Sequence, residues 1–191
     1  METPGVSTKP ILLISGSSPF CETFFDDVKV PKSQIVGEVN RGWDVAKYLL
    51  GHERGMIAEM GLGGGSGSSA TLGSAMKPQD PLLRAGIAAL DVDALAFAAM
   101  SERFAAMWKA GEAHPASPSM MKYAGTELNK RRNELVMTAG GSDALDWDSE
   151  RSKNGKAPRD WLRSKGNSIE GGTSEVQLNI VAKHILGLPG A

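Results

Sequence analysis

The chain has 191 residues, 41% of them apolar and 23% charged, enough to bury roughly 70% of its unfolded surface around one ordinary core. Its 21 Lys and Arg against 22 Asp and Glu leave a formal charge of −1, which offers no general attraction to phosphate backbones, so no nucleic-acid partner is expected. The single cysteine, Cys21, can form no internal disulfide, and His52, His114 and His184 are too scattered for a zinc cluster. A reducing, cytoplasmic setting without metal is therefore expected. No window approaches the ~18 apolar residues of a membrane span, and residues 1–10 show no basic stretch followed by an apolar one.

Residues 6–36 are predicted as strands: Ile11-Leu12-Leu13-Ile14 is an apolar β-type run, and residues 23–30 are bounded by Pro19 and Pro31. Gly16-Ser17-Ser18-Pro19 is turn chemistry, which makes the pair a short antiparallel ribbon. After Asn40-Arg41-Gly42 the period becomes helical, with Val45, Leu49, Met56 and Met60 on one face. Residues 61–80 hold six Gly and four Ser, a composition that predicts a loop or frayed helix end because each Gly costs about 1 kcal/mol in a helix. Asp80-Pro81 supplies an N-cap followed by Pro at the first helical position. Leu83, Ile87, Leu90, Ala94, Phe97, Phe104 and Trp108 then define a long helix, with Ser101 in the seam. Pro115 and Pro118 break it. Met121, Ala124, Leu128 and Leu135 set the next helix, which ends at Gly140-Gly141 and places Arg131 in its seam, either snorkelling or touching a ligand. Residues 142–157 read as a connecting loop. Pro158-Arg159-Asp160-Trp161 opens a short helix, and Ser174-Glu175-Val176-Gln177 is a capping-box pattern that starts a last helix running to Gly187. The expected fold is mainly α: an antiparallel four-helix bundle preceded by a short β ribbon, with domains at 1–37 and 38–191.

Three constellations invite chemistry. Gly61-Leu62-Gly63-Gly64-Gly65-Ser66-Gly67 fits neither G-x-G-x-x-G nor a P-loop and reads as a linker. His52-Glu53 begins like a zinc H-E-x-x-H, but Met56 stands where the second His is required. Glu53, set between apolar runs, is then either a solvated carboxylate or a partly buried one raised in pKa and suited to act as a base. Ile169-Glu170-Gly171-Gly172-Thr173-Ser174 puts two glycines and two hydroxyls before a capped helix. That is either a Gly turn with a hydroxyl cap or a set of free N–H groups able to bind a ligand oxygen.

Four segments taken in order resemble the acyl-CoA dehydrogenase family. They are Phe24-Phe25-Asp26-Asp27-Val28-Lys29-Val30-Pro31, Asn40-Arg41-Gly42-Trp43, His52-Glu53-Arg54, and Ile169 to Gln177 with Ile185-Leu186-Gly187-Leu188-Pro189. The resemblance implies a flavoprotein oxidoreductase with FAD as cofactor, acting on an acyl-CoA thioester and handing electrons to an electron-transfer flavoprotein. It implies that the chain starts within the family's middle β domain and continues through its C-terminal helical bundle, as a fragment or one subunit of a split enzyme. A homo-oligomer, or a partner chain supplying the N-terminal half, is then expected. In many members the base precedes the Gly-Thr that opens the last helix, a position occupied here by Gly171. In another branch it stands in the first bundle helix directly before an Arg, matching Glu53 and Arg54. The resemblance thus implies Glu53 as base, the Gly171 N–H as oxyanion donor, and Arg54 near the CoA moiety. It also implies Thr173 and Glu175 near the flavin, and Gly140 and Gly141 against the dinucleotide portion of FAD. The competing expectation is a non-catalytic helical oligomerisation module.

Overall fold

The computed structural model describes residues 2–63, 79–150, 152 and 154–189, so most of the predicted linker at 61–80 lies outside the described residues. The chain divides into two compact units, Met1–Glu53 and Arg54–Ala191, and each is described by itself.

In the first unit, β1 (Val6–Ile11) and β2 (Phe20–Phe25) form an antiparallel ribbon with Val6 opposite Phe25 and Ile11 opposite Phe20. Its register fits the side-chain chemistry, since Lys9 faces Glu22 across the strands and Thr8 faces Thr23. The ribbon enters from Gly5, whose φ of +88° and close approach to the Asp26 carbonyl leave no room for a Cβ. The connection is cinched by Leu13 N–H donating to the Ser17 carbonyl at 2.9 Å and by Ser18 Oγ donating to the Ile11 carbonyl at 2.9 Å. Helix α1 (Gly42–Gly63) begins in this unit and continues into the next. Asp44 sits in its first turn, paired with Arg41 at 2.5 Å and Lys47 at 3.1 Å, where a carboxylate also complements the helix dipole.

The second unit holds α2 (Pro81–Lys109), α3 (Ser117–Gly140), α4 (Lys156–Lys165) and α5 (Ser174–His184), with 3-10 turns at Gly141–Leu145 and Gly166–Ser168. Asp80 caps α2 by accepting from Leu82 N–H at 2.8 Å, with Pro81 at its first position. The predicted α2 seam is the inward face: Ile87, Leu90 and Ser101 are buried and Leu83, Ala94, Phe97 and Phe104 half-buried, while Trp108 at the end is exposed. Helix α3 is central and packs against α2, α4 and α5. Glycines let α2 and α3 approach closely: a Cβ on Gly125 would lie 3.1 Å from the Phe97 ring, and one on Gly86 3.1 Å from Leu135. Arg131 is a surface residue paired with Asp93 of α2 at 2.5 Å, as its long, strongly charged head favours.

Several bounds differ from the sequence reading: the strands are Val6–Ile11 and Phe20–Phe25, with Leu12 to Ile14 in their connection and residues 26–36 outside the ribbon, α4 starts at Lys156 ahead of Pro158, and both ends of α5 shift. The cap of α5 is Thr173, whose Oγ1 accepts from Val176 N–H at 3.3 Å, so Ser174 is the first helical residue and not the cap. Thr173 wins because it alone has the extended backbone a cap needs, φ −62° and ψ 156°. The helix also stops at His184, before Gly187. The chain then turns at Gly187, φ +63°, so that Leu188 N–H reaches the Ala182 carbonyl at 2.9 Å.

Candidate functional site at the entry to the last helix

Helix α5 is entered through a turn in which Gly171 and Gly172 both take left-handed backbone, φ +67° and +94°, a conformation only glycine reaches without strain. The buried Gln177 folds back from α5, and its Nε2 donates to the Gly171 carbonyl at 2.7 Å. A Cβ on Gly172 would stand 2.5 Å from that same nitrogen, so the glutamine amide fills the space a side chain there would need.

The preceding 3-10 turn is fastened to α3. The Lys122 ammonium donates to the Asn167 carbonyl at 2.9 Å, Asn129 Nδ2 to Asn167 Oδ1 at 2.7 Å, and Lys130 Nζ to Ser168 Oγ at 2.6 Å. Lys122 is only 8% exposed. Burial lowers the pKa of its ammonium, opposed by the nearby carboxylates of Glu170 and Glu127. Glu170 is itself engaged: Arg163 donates to its carboxylate at 2.7 Å, and the Asn167 side-chain amide donates to the other oxygen.

Within this frame Gly171 and Gly172 are exposed, and among the described residues neither N–H donates to a protein acceptor. Glu175, in the first turn of α5, holds its carboxyl below the usual carboxylate range, first through its own backbone N–H and then through the Thr173 hydroxyl. The positive end of the helix dipole is therefore already met by a carboxylate, and the donors left for a ligand are those of the glycine turn.

The other residues singled out from sequence fall elsewhere. Gly140 closes α3 and Gly141 follows with φ +53°. A Cβ on Gly140 would lie 2.6 Å from that of Ala144, which explains that glycine by packing, whereas open space surrounds Gly141. Glu53 lies at the end of the first unit on α1, and Arg54 begins the second. Glu53 is exposed, as are its apolar neighbours Tyr48, Leu49 and Leu50, which within this chain is the solvated one of the two environments its flanks allow. Gly171, Thr173 and Glu175 are thus brought together, and Gly140 and Gly141 form a second locus in the same unit.

Sequence reasoning passed over Lys122 and misread Gln177. The signal for the first is a polar row on α3, Lys122, Thr126, Asn129 and Asn133, at spacings of 4, 3 and 4, a pattern indistinguishable from a solvated helix face until the 166–168 turn is seen to cover it. Gln177 completes a capping box only if Ser174 is the cap; with Thr173 as the cap it lies one position too far along, free to turn back to the glycines.

Among the described residues no cluster of His, Cys, Asp and Glu could hold a metal ion, and no helix is long and apolar enough to cross a membrane. Residues 40–186 match the model of the acyl-CoA dehydrogenase C-terminal domain. The acyl-CoA dehydrogenase FadE34 of Mycobacterium tuberculosis is 30% identical over 201 residues, covering 99% of this chain and 26% of that protein. Among solved structures, the steroid ACAD Tcur3481-Tcur3483 superposes with a TM-score of 0.82 at 23% identity, over all of this chain and 50% of that one. The ChsE4-ChsE5 complex from Mycobacterium tuberculosis gives 0.76 at 25% identity, over all of this chain and 52% of that one. The chain spans about a quarter of the length of FadE34 and about half of the chains in those structures. With a helical domain of this architecture, a glycine turn at its last helix, and a family match over 40–186, the chain belongs to the acyl-CoA dehydrogenase family.

Proposed function

We propose that the chain is the C-terminal part of an FAD-dependent acyl-CoA dehydrogenase, working with a homo-oligomeric or partner chain that supplies the N-terminal half. The observation that carries the reading is the glycine turn: two exposed, uncommitted N–H groups at Gly171 and Gly172 on a scaffold fastened from α3 and α5. Donors fixed in advance of the reaction are what a developing oxyanion requires.

In this reading the Gly171 N–H donates to the thioester oxygen as negative charge builds on it, and Glu53 accepts the α-proton. Arg54 approaches the CoA moiety. FAD, when bound, supplies the hydride acceptor for the β-hydrogen, and an electron-transfer flavoprotein takes the electrons onward. Two loci support the cofactor reading. Thr173 and Glu175 stand at the α5 entry, and Gly141 offers backbone with open space where any other residue would place a side chain. A partner chain is supported by the relative solved as the ChsE4-ChsE5 complex, which this chain matches over about half of one subunit. The N-terminal ribbon, residues 1–37, belongs in this reading to the β domain and residues 38–191 to the bundle.

The test is a comparison of Glu53→Gln with Glu170→Gln in protein reconstituted with its N-terminal half, read by α-proton exchange and by dye reduction. Loss of a positioned base lowers turnover by about 10²–10⁴-fold, and that loss is expected for Glu53→Gln. Glu170→Gln should change turnover far less, because its carboxylate is held by Arg163 and Asn167. The reverse result assigns the base to Glu170. Wild-type activity in both variants places the base elsewhere or on the partner chain and takes away the main support for a catalytic reading of this chain.

A further inference from the structure

We propose that Gln177 is a positioning residue: through the Gly171 carbonyl it fixes the peptide plane between Gly171 and Gly172 and so sets the direction in which the glycine turn presents the Gly172 N–H, the second donor beside that of Gly171. This rests on the reading of that turn as the oxyanion site. A trans peptide is planar, with its C=O and N–H pointing in opposite directions. Holding the Gly171 oxygen at 2.7 Å from Gln177 Nε2 therefore aims the Gly172 N–H away from the body of α5, while the Gly171 N–H belongs to the preceding peptide plane, which follows the anchored 166–168 turn.

Three further observations support the role. Gln177 is 4% exposed and is the buried residue of α5, so its amide is bound within the protein and is not a surface group that happens to lie nearby. The turn it holds consists of two glycines at positive φ, the residues with the widest choice of backbone conformations. Without a clamp such a turn would sample several peptide orientations. The glutamine also occupies the place of a side chain at 172, since a Cβ there would be 2.5 Å from Nε2, so the glycine and the glutamine require each other. The α3 anchors at Asn167 and Ser168 fix the turn upstream, leaving the 171–172 plane as the unit held, among the described residues, by Gln177.

The experiment has two readouts. In the first, backbone ¹⁵N relaxation of the full chain gives order parameters for Gly171 and Gly172. These are expected near the rigid value of about 0.85 in the wild type and below about 0.6 in Gln177→Met, which keeps length but removes the donor. Gln177→Glu, of almost unchanged volume and unable to donate when ionised, should behave like Gln177→Met and serves if the methionine variant does not fold. In the second, reconstituted enzyme carrying either variant should lose at least about 10-fold in kcat with KM changed less than about 2-fold, the pattern of an interaction realised in the transition state. Unchanged order parameters overturn the proposal, as does mobile turn backbone with unchanged kcat. If wild-type reconstituted enzyme shows no turnover, the functional reading fails, while the order parameters still decide whether Gln177 clamps the turn.

Discussion

Lys122 is the residue whose burial the rest of the site has to accommodate. Its ammonium is taken out of water to reach the Asn167 carbonyl, and the desolvation that lowers its pKa is only partly offset by Glu170 and Glu127. Replacing it with Met keeps the length and the buried stem but strands the Asn167 carbonyl. Asn167 is half-buried, so losing this hydrogen bond costs about 1 kcal/mol, and Lys122→Met should lower the thermal midpoint by about 2–4 °C at neutral pH. The pH dependence has a definite sign. Because the folded-state pKa lies below the unfolded one, near 10.5, the unfolded chain binds more protons between the two values, and stability from this group rises with pH across that window. Below the folded value the full cost of burying the charge is present. Lys122→Met should lack this alkaline rise in calorimetric scans, and an identical rise in both proteins would refute the assignment. None of this was visible from the sequence, where Lys122 sits beside the seam residue Met121 and reads as ordinary solvated charge.

At the scale of elements, spacing was enough to place α2 and α3, because an apolar stripe repeating every three or four residues can be buried in only one way. Spacing failed at the ends. The α5 cap fell on Thr173 instead of Ser174, since adjacent hydroxyls are equivalent in composition and only backbone geometry separates them. It failed as well at the loop between α3 and α4, which is polar in sequence yet folded down: Arg159 stacks at 4.0 Å over the Trp147 ring, and Gly155, φ +71°, passes so close to the Trp147 carbonyl that a Cβ would meet it at 2.1 Å. Glu134 of α3 and Lys165 of α4 tie those two helices together. The Lys165 hydrogen bond is the main reason that the Glu134 carboxyl lies below its ordinary 4.5. A depressed carboxylate stabilises the fold above that ordinary value and loses its contribution as pH falls through the lower, folded one. Glu134→Gln should therefore flatten part of the acid limb of stability in urea titrations below about pH 4.5. Because both side chains are substantially exposed, the difference should be small and should shrink further in ~0.5 M salt. A difference that persists in salt would point to a cause other than this ion pair.

At the scale of the molecule, the outstanding property is how much large apolar surface the N-terminal unit leaves exposed. Phe20, Phe24 and Phe25 on the ribbon, Leu12 and Ile14 on its connection, and Trp43, Tyr48 and Leu49 on α1 are all exposed. The ribbon is legible in the turn chemistry at residues 16–19, but its two-sidedness follows only from the register: Phe20 and Phe24 pair with Ile11 and Ser7 on one face, while Phe25 lies opposite Val6 on the other. A two-stranded ribbon with both faces uncovered is marginal in water, and so many large apolar side chains left in water favour association. With a formal charge of −1, long-range repulsion between copies is too weak to oppose contact. The purified chain is therefore expected to self-associate at micromolar concentration, with a light-scattering mass above that of the monomer which grows with concentration and with added salt. Electrostatic assembly would instead weaken in salt, so the salt response separates the two causes. Phe20→Lys combined with Phe24→Lys puts charge on one ribbon face and changes no residue of the second unit, and should shift the mass toward monomer while leaving the far-ultraviolet helix signal unchanged. A clean monomer from the unsubstituted chain at tens of micromolar would mean that this surface is tolerated in water as it stands, and would remove the physical reason for expecting another chain to cover it.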